Sequence, residues 1–394
     1  MPTMINSHAD AVAVAQQYAE SLLDGVIARD RAGGVPYEEL ARLDASGLLG
    51  ITVPREHGGP DLSPVTLTEV IRAIATVDPA IAQAPQGHFM FVDLLAVWGS
   101  AEQQRRLFAE VLAGGRLGPA LAERGAQHAQ DLKTLLRRGM LLTGRKYYCT
   151  GAITSRWIGV SALDDKDRVV VAFLPRNADG VAFDEDWNVM GQRATVSGGA
   201  SFDDVEVDPD LVVPYHEAFA VPQQIGARAQ LVHTAIQVGI AGSALHDAGK
   251  FVRTGARPFF EVVRAGLADT AAKDPLTIQR YGRLATRVRA SETLLAGAAA
   301  TQQEIGRHPH DAESAARGSI AVAQAKAFAC EVAVEVASDL FALGGTSATD
   351  ERHDLSRHWR NARTHASHDP VDWKYQHIGD FLLNGVLPPN HGQL

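Results

Sequence analysis

Arg357-His358-Trp359-Arg360-Asn361-Ala362-Arg363-Thr364-His365-Ala366-Ser367-His368-Asp369-Pro370 gathers three imidazoles and three guanidiniums into one short stretch near the C-terminus. It follows the glycine pair Gly344-Gly345 in an otherwise Ala-rich region with helical character. A helical bundle packs without such side chains, so the stretch points to a site carried on a helical frame. His365 and His368 are three residues apart, which puts both rings on one face of a helix or turn. That spacing also suits a metal, but no carboxylate or further histidine stands at the fixed spacing a metal site needs, and no metal is expected.

Moving outward from this stretch, helical periodicity dominates both ends of the chain. Between Ala11 and Ile27 the apolar residues recur at three- and four-residue intervals, the pattern of a helix with one buried face, and Gly33-Gly34 ends it. Pro36 suits the first turn of a second helix running to Leu48. The breaker-rich His57-Gly58-Gly59-Pro60 follows, then a third helix over Pro64 to Thr76 and further Ala- and Leu-rich segments to Leu112. From about Leu117 to Val213 the character changes. Leu141 to Thr143, Lys146 to Thr150, Arg168 to Leu174 and Ala200 to Val207 are rich in β-branched or aromatic residues and are bounded by Gly, Asp, Asn and Pro, which predicts short strands forming a small barrel or sandwich. After Pro222 long periodic stretches over Ala227 to Thr254, Leu276 to Gly306 and Ala312 to Leu343 predict a helical bundle. The expected domains are 1–116 helical, 117–215 β and 216–394 helical.

Composition narrows the function. With 394 residues the chain is long enough for two or three domains or one large enzyme subunit, and 46% hydrophobic with 21% charged residues is ordinary for a globular protein. A net charge of -9 argues against a general nucleic-acid partner, although a local basic site for one phosphate is compatible with it. No apolar run reaches the roughly 20 residues that span a bilayer. Met1 to Asp10 carries polar and acidic residues where a signal peptide has a basic start and an apolar core, so a cytoplasmic location is expected. Cys149 and Cys330 form no CxxC spacing and read as buried small residues. Gly239-Ile240-Ala241-Gly242 lies in a helical pattern and lacks the strand-turn-helix setting of a dinucleotide site.

The order helices, strands, longer helices resembles the acyl-CoA dehydrogenase fold: an N-terminal helical domain, a β-barrel and a C-terminal four-helix bundle. Four motifs carry the resemblance. Thr143-Gly144-Arg145-Lys146-Tyr147-Tyr148-Cys149-Thr150 is similar to the family's Gly-x-Lys-x-Trp-Ile-Thr element, with Tyr148 in place of the Trp and Thr150 at the hydroxyl position. Asp186-Trp187-Asn188-Val189-Met190-Gly191-Gln192-Arg193 and Ser201-Phe202-Asp203-Asp204-Val205-Glu206-Val207 resemble the same barrel, and Arg360-Asn361-Ala362-Arg363 resembles the Arg-Asp-Ala-Arg element before the dehydrogenase base. Where the dehydrogenases continue into a catalytic Glu, this chain reads Ser367-His368-Asp369-Pro370. Asp369 falls near that place but is shorter and precedes a proline, which restricts its backbone. Where they carry Val-Thr-Glu on a second flavin strand, it reads Pro119-Ala120-Leu121-Ala122-Glu123-Arg124.

The full string from Arg360 through Trp373-Lys374, with Asp186-Trp187 and the segment around His88, resembles the flavin-dependent monooxygenases built on this fold, the dibenzothiophene monooxygenase group and relatives associated with dimethyl sulfone use. That resemblance implies a two-component enzyme. A separate flavin reductase supplies FMNH2, which reacts with O2 to give a flavin C4a-hydroperoxide that oxygenates sulfur, nitrogen or an activated aromatic carbon of a small molecule. It implies His88 and His368 as catalytic groups, because an imidazole exchanges protons near neutral pH. Leu121, Ala122, Glu123, Tyr148, Cys149, Thr150, Arg257, Thr346, Ser347 and His365 are the implied flavin contacts, and Phe89 and Trp187 the implied apolar shield on the substrate side. Arg257, after a long helix, stands where the family offers a guanidinium to the flavin phosphate of a neighbouring subunit, and a homotetramer follows. An FAD-dependent acyl-CoA dehydrogenase and a non-catalytic flavin-binding homologue are the alternatives.

Overall fold

A computed structural model describes residues 2–125 and 131–393. Seven helices come first: α1 (His8–Leu22), α2 (Val26–Ala32), α3 (Tyr37–Ala45), α4 (Pro64–Ala75), α5 (Pro79–Gln83), α6 (Gln86–Trp98) and α7 (Ala101–Leu112). Their starts are written in the sequence. Ser63 accepts the amide of Thr66 ahead of Pro64 in α4, and Ser100 forms a reciprocal capping box with Gln103 in α7. The single helix predicted over Ala11 to Ile27 is two, because Gly25 takes a left-handed φ of +89° and redirects the chain between α1 and α2.

Eight strands follow: β1 (Leu117–Ala120), β2 (Leu135–Arg137), β3 (Leu141–Lys146), β4 (Trp157–Leu163), β5 (Val169–Pro175), β6 (Val181–Phe183), β7 (Ala200–Glu206) and β8 (Val212–Val213). They form one sheet in the order β6-β7-β3-β2-β4-β5-β8, with β1 lying parallel to the first half of β4. β2 meets β4 only at Leu135 and Leu163, so β1 and β2 share one side of β4 and the chain leaves the sheet between them at Leu121. The strand predicted over Lys146 to Thr150 ends at Lys146. Tyr148 has a φ of +60°, a conformation no strand continues through and a strained one for a bulky residue.

The third part is α8 (Tyr215–Ala218), α9 (Ile225–Thr254), α10 (Phe260–Arg264), α11 (Pro275–Ile305), α12 (Ala312–Gly344), α13 (Ser356–Ala366) and α14 (Val371–Asn384). Asp274 and Asp311 cap α11 and α12 at their N-termini. α9 is buried on nearly every side from Ile225 to Ala241, because α4 and α6 pack on it from the N-terminal part and α11, α12 and α13 from its own. One hydrophobic core therefore runs through both helical parts, and two smaller ones line the sheet. Among the described residues, no helix is long and apolar enough to cross a membrane.

Candidate active site

The sheet supplies one wall. Beyond β3 the chain turns at Tyr148, whose ring is 54% exposed and stands edge-on to Tyr147 at 4.9 Å and to Trp187 at 6.1 Å. The Arg124 guanidinium covers the other aromatic, 4.3 Å from the Tyr147 ring centre. Cys149 is buried, and its amide donates to the Gly198 carbonyl. The Thr150 hydroxyl is 2.8 Å from that of Ser197, which is in turn 2.8 Å from Thr195. The segment Gln192–Val196 closes this wall on strained backbone, since Gln192 and Val196 both have a left-handed φ, of +53° and +48°. Trp187 is held by its indole N–H, which donates to the Gln192 carbonyl at 2.9 Å.

The bundle supplies the other wall, and α13 joins the two. Gly191 presses on α13 so closely that a Cβ there would overlap the Arg360 carbonyl, and the Gln192 amide donates to Asn361 Oδ1 at 2.5 Å. The Gln192 side chain reaches His365, with Nε2 3.3 Å from Nδ1, while its Oε1 is buried with no hydrogen-bond partner. His365 Nδ1 is also 2.9 Å from Gln83 Oε1 on α5, and its Nε2 is 3.3 Å from Nδ1 of His233 on α9. The His233 ring lies over that of His368 with centroids 4.1 Å apart. His368 Nδ1 is 3.3 Å from Asp369 Oδ1, and Asp369 is clamped between Lys326 of α12 and Lys374 of α14, the latter at 2.7 Å.

Electrostatics follow from depth and charge. Burial, then the neighbouring His368 and Lys326, pushes His365 down to about 3. Burial also holds His233 well below its ordinary value. His368 is lowered by its depth in the protein, against the pull of Asp369, yet 40% of its side chain is exposed. Burial opposes ionisation of Asp369, but Lys326, His368 and Lys374 overcome it and hold the carboxyl far below the usual range.

His365, His368, Tyr148, Thr150 and Trp187 are thus tied into two walls bridged by Gln192. The other expected contacts have partners within the chain. His88 is fully buried on α6: its Nδ1 accepts the Leu117 N–H at 3.1 Å, so Nε2 carries the proton and donates to the Leu49 carbonyl at 2.9 Å. Both of its ring nitrogens are thus engaged by backbone groups. Phe89 packs edge-on against it in the helical core. The Glu123 carboxylate is committed to Lys146 at 2.8 Å and to the amides of Lys133 and Thr134, because it closes the gap where the chain leaves the sheet between β1 and β2. Leu121 and Ala122 likewise give their carbonyls to Lys146, Ser161 and the Tyr147 amide.

Arg257, Thr346 and Ser347 lie at the far end of α9. There the Phe251 ring rests against both Gly255 and Gly344. Phe251 is about 27 Å along the helix from His233 at 1.5 Å per residue, so these residues and the imidazole cluster cannot meet the same flavin ring. Much of the charged stretch on α13 is structural: Arg357 and His358 hold Asp247 at 2.6 and 2.8 Å, and Arg360 holds Asp30 at 2.6 Å.

Sequence reasoning missed Gln83, Gln192, His233, Lys326 and Lys374 as members of the site. A signal for His233 exists: Gln230, His233, Thr234 and Gln237 recur at the spacing of one helical face, a polar stripe inside an otherwise apolar helix, and all four are buried.

Comparison with known proteins agrees with this architecture. Residues 7–115 match the N-terminal domain of acyl-CoA dehydrogenases and residues 231–373 their C-terminal domain. The chain is 32% identical to a dibenzothiophene monooxygenase of Rhodococcus erythropolis over 96% of its own length and 94% of the relative's. It is 28% identical to a probable FMNH2-dependent monooxygenase of Pseudomonas putida, covering 96% of each. The FMN-bound crystal structure of TdsC from Paenibacillus sp. A11-2 superposes with a TM-score of 0.92 at 29% identity, covering 98% of this chain and 100% of that one. A histidine cluster where a dehydrogenase keeps its carboxylate, on this fold and at this identity, makes the chain a member of the acyl-CoA dehydrogenase-fold flavin-dependent monooxygenases, the family of dibenzothiophene monooxygenase.

Proposed function

We propose that this chain is the oxygenase component of a two-component monooxygenase, which takes FMNH2 from a separate reductase, and O2, and places one oxygen atom on the sulfur of a small organic compound. The observation that carries the reading is Asp369. An acyl-CoA dehydrogenase needs a carboxylate free to take an α-proton, whereas Asp369 is buried between Lys326 and Lys374 and far too acidic to act as that base. His368, with its open ring edge, occupies the neighbouring place.

The wall facing this edge fits a flavin. An isoalloxazine ring requires an aromatic surface to lie along and fixed polar groups at its rim, and Tyr148, Trp187, the Thr150–Ser197 hydroxyl pair and the orphaned Gln192 Oε1 provide both. When bound, FMNH2 supplies the two electrons that send one atom of O2 to the substrate and the other to water. Tyr148 and Trp187 exclude solvent from the space between the walls. His368 holds and delivers the proton that lets the second oxygen leave as water, and His365 and Gln192 orient that edge of the site.

The site is completed by a second copy of the chain. Exposed Arg257 meets the flavin phosphate of a neighbouring subunit, with Thr346 and Ser347 beside it, because within its own subunit it is too distant. Phe259, Phe260, Val263 and Leu267 beside it, and Trp373, Leu382 and Leu383 on α14, are apolar side chains left exposed in one chain that a homotetramer covers.

The test is turnover with chemically reduced FMN and O2 against a panel of organosulfur, amine and phenolic compounds. Sulfoxide or sulfone formation, coupled to FMNH2 oxidation, is the expected result. Tight stoichiometric FAD that an acyl-CoA bleaches without O2 would instead establish a dehydrogenase.

A further inference from the structure

We propose that Ser197 and Thr195 are positioning residues that turn the Thr150 hydroxyl into a hydrogen-bond acceptor, matched to the N–H group that a flavin gains on reduction. The order of the hydroxyls rests on the geometry alone; that Thr150 meets the flavin rests on the monooxygenase reading.

Three hydroxyls stand in a row from the inside of the sheet wall to its surface. Thr195 Oγ1 is 2.9 Å from the Gln192 carbonyl, Ser197 Oγ is 2.8 Å from Thr195 Oγ1, and Thr150 Oγ1 is 2.8 Å from Ser197 Oγ. Thr195 and Ser197 are buried, and Thr150 is half-buried at the open end. A hydroxyl has one proton to give and two lone pairs to receive with. The Gln192 carbonyl only accepts, so Thr195 spends its proton there. Ser197 then gives its proton to Thr195, and Thr150 gives its own to Ser197. That order leaves Thr150 with a lone pair and no proton for a group lying against it. Backbone bonds on either side of Thr150 fix the row: the Cys149 N–H donates to the Gly198 carbonyl and the Gly151 N–H to the Thr195 carbonyl, both at 3.1 Å.

Reduction replaces a bare nitrogen of the central flavin ring by an N–H. An acceptor at Thr150 takes a hydrogen bond from that N–H with the row undisturbed. An oxidised ring sets a lone pair against a lone pair, and is served only when all three hydroxyls turn round. Thr150 then donates outward, Ser197 donates to Thr150 and Thr195 to Ser197, and the hydroxyl bond to the Gln192 carbonyl is lost. Each hydroxyl keeps its own proton throughout, so the reversal is a rotation and not a transfer. The carbonyl keeps the Trp187 indole N–H at 2.9 Å, so the reversal costs one hydrogen bond and strips no group of its last partner. One such bond, taken net of solvent, corresponds to an affinity difference of about 2- to 10-fold in favour of the reduced flavin.

The experiment is anaerobic and needs no turnover: the dissociation constants of the intact protein for FMN and for FMNH2, and the reduction potential of the bound flavin. Ser197→Ala interrupts the row, and Thr195→Val removes its inner anchor with little change of shape, so in both Thr150 donates or accepts with equal ease. Each should lower the ratio of the FMN to the FMNH2 dissociation constant by about 2- to 10-fold, chiefly by tightening FMN. The potential of the bound flavin should fall in step by about 10–30 mV, since a tenfold change is about 30 mV for a two-electron couple. Thr195→Ser keeps the hydroxyl and should return both values to those of the wild type. A merely structural role would weaken both redox states together and leave the ratio and the potential where they were. An unchanged ratio in Ser197→Ala and Thr195→Val, or one that moves the other way, would overturn the proposal while the flavin reading stands. A wild type that binds neither FMN nor FMNH2 would remove that reading, and the proposal with it.

Discussion

Replacing His88 by alanine tests whether this histidine serves the fold or the chemistry. The ring is fully buried, and its two nitrogens satisfy the Leu117 amide and the Leu49 carbonyl. Truncation leaves one donor and one acceptor buried without partners, at about 1–3 kcal/mol each, so a loss of about 2–6 kcal/mol is expected before any cavity is counted. Against a total of about 5–15 kcal/mol for a typical native protein, that is a large fraction. Urea unfolding followed by tryptophan fluorescence measures it. The same geometry sets a pH signature. Protonating Nδ1 would turn a donor toward the Leu117 N–H, and burial drives the imidazole from 6.5 down to about 4. Above pH 6.5 the ring is neutral folded and unfolded, so its contribution is intact. As the pH falls from 6.5 to about 4 only the unfolded chain takes up the proton, and about 3 kcal/mol of stability is lost at about 1.4 kcal/mol per pH unit. The reasoning fails if His88→Ala unfolds within about 0.5 kcal/mol of the wild type while oxygenated product disappears, since the imidazole would then be chemical and not structural.

His368→Ala should leave the fold intact, reduce oxygenation about 10²- to 10⁴-fold and release H2O2 from the O2 still consumed; product formation within a few-fold of wild type would make His368 structural. Arg257→Ala should weaken FMN binding without dissociating the assembly, because a phosphate contact is lost while the apolar surfaces of Phe259 and Leu382 persist. Light scattering with flavin titration reads both effects, and an active monomer, or unchanged FMN affinity, would exclude the shared site.

The fold and the bundle face of the site were legible locally. Caps such as Ser63 and Asp311 and the three-residue spacing of His365 and His368 depend on neighbours in the chain, so periodicity and motif reading place them. The interruption of β3 at Tyr148 was not legible. Its left-handed φ is imposed where the chain turns beside Trp187, 39 residues on, and a Lys-Tyr-Tyr-Cys-Thr run has ordinary strand composition. Glu123 illustrates the same limit, since its carboxylate is taken by Lys146 and Thr134, neither of which is near enough in sequence to announce it.

What the sequence alone determined is the order of helical and strand segments, which resides in composition and short spacing, and, through the resemblance to a known family, the departure from a glutamate to Ser-His-Asp and the kind of chemistry it implies. Only the tertiary structure decided which groups meet each histidine. His88 and His233 are both single imidazoles in apolar helices, and nothing local tells them apart. One meets two backbone groups, and the other meets two more imidazoles. A ring's role is set by what faces its two nitrogens, and those partners come from elements 29 to 135 residues away, brought together by the packing of α6 on β1 and of α9 against α13.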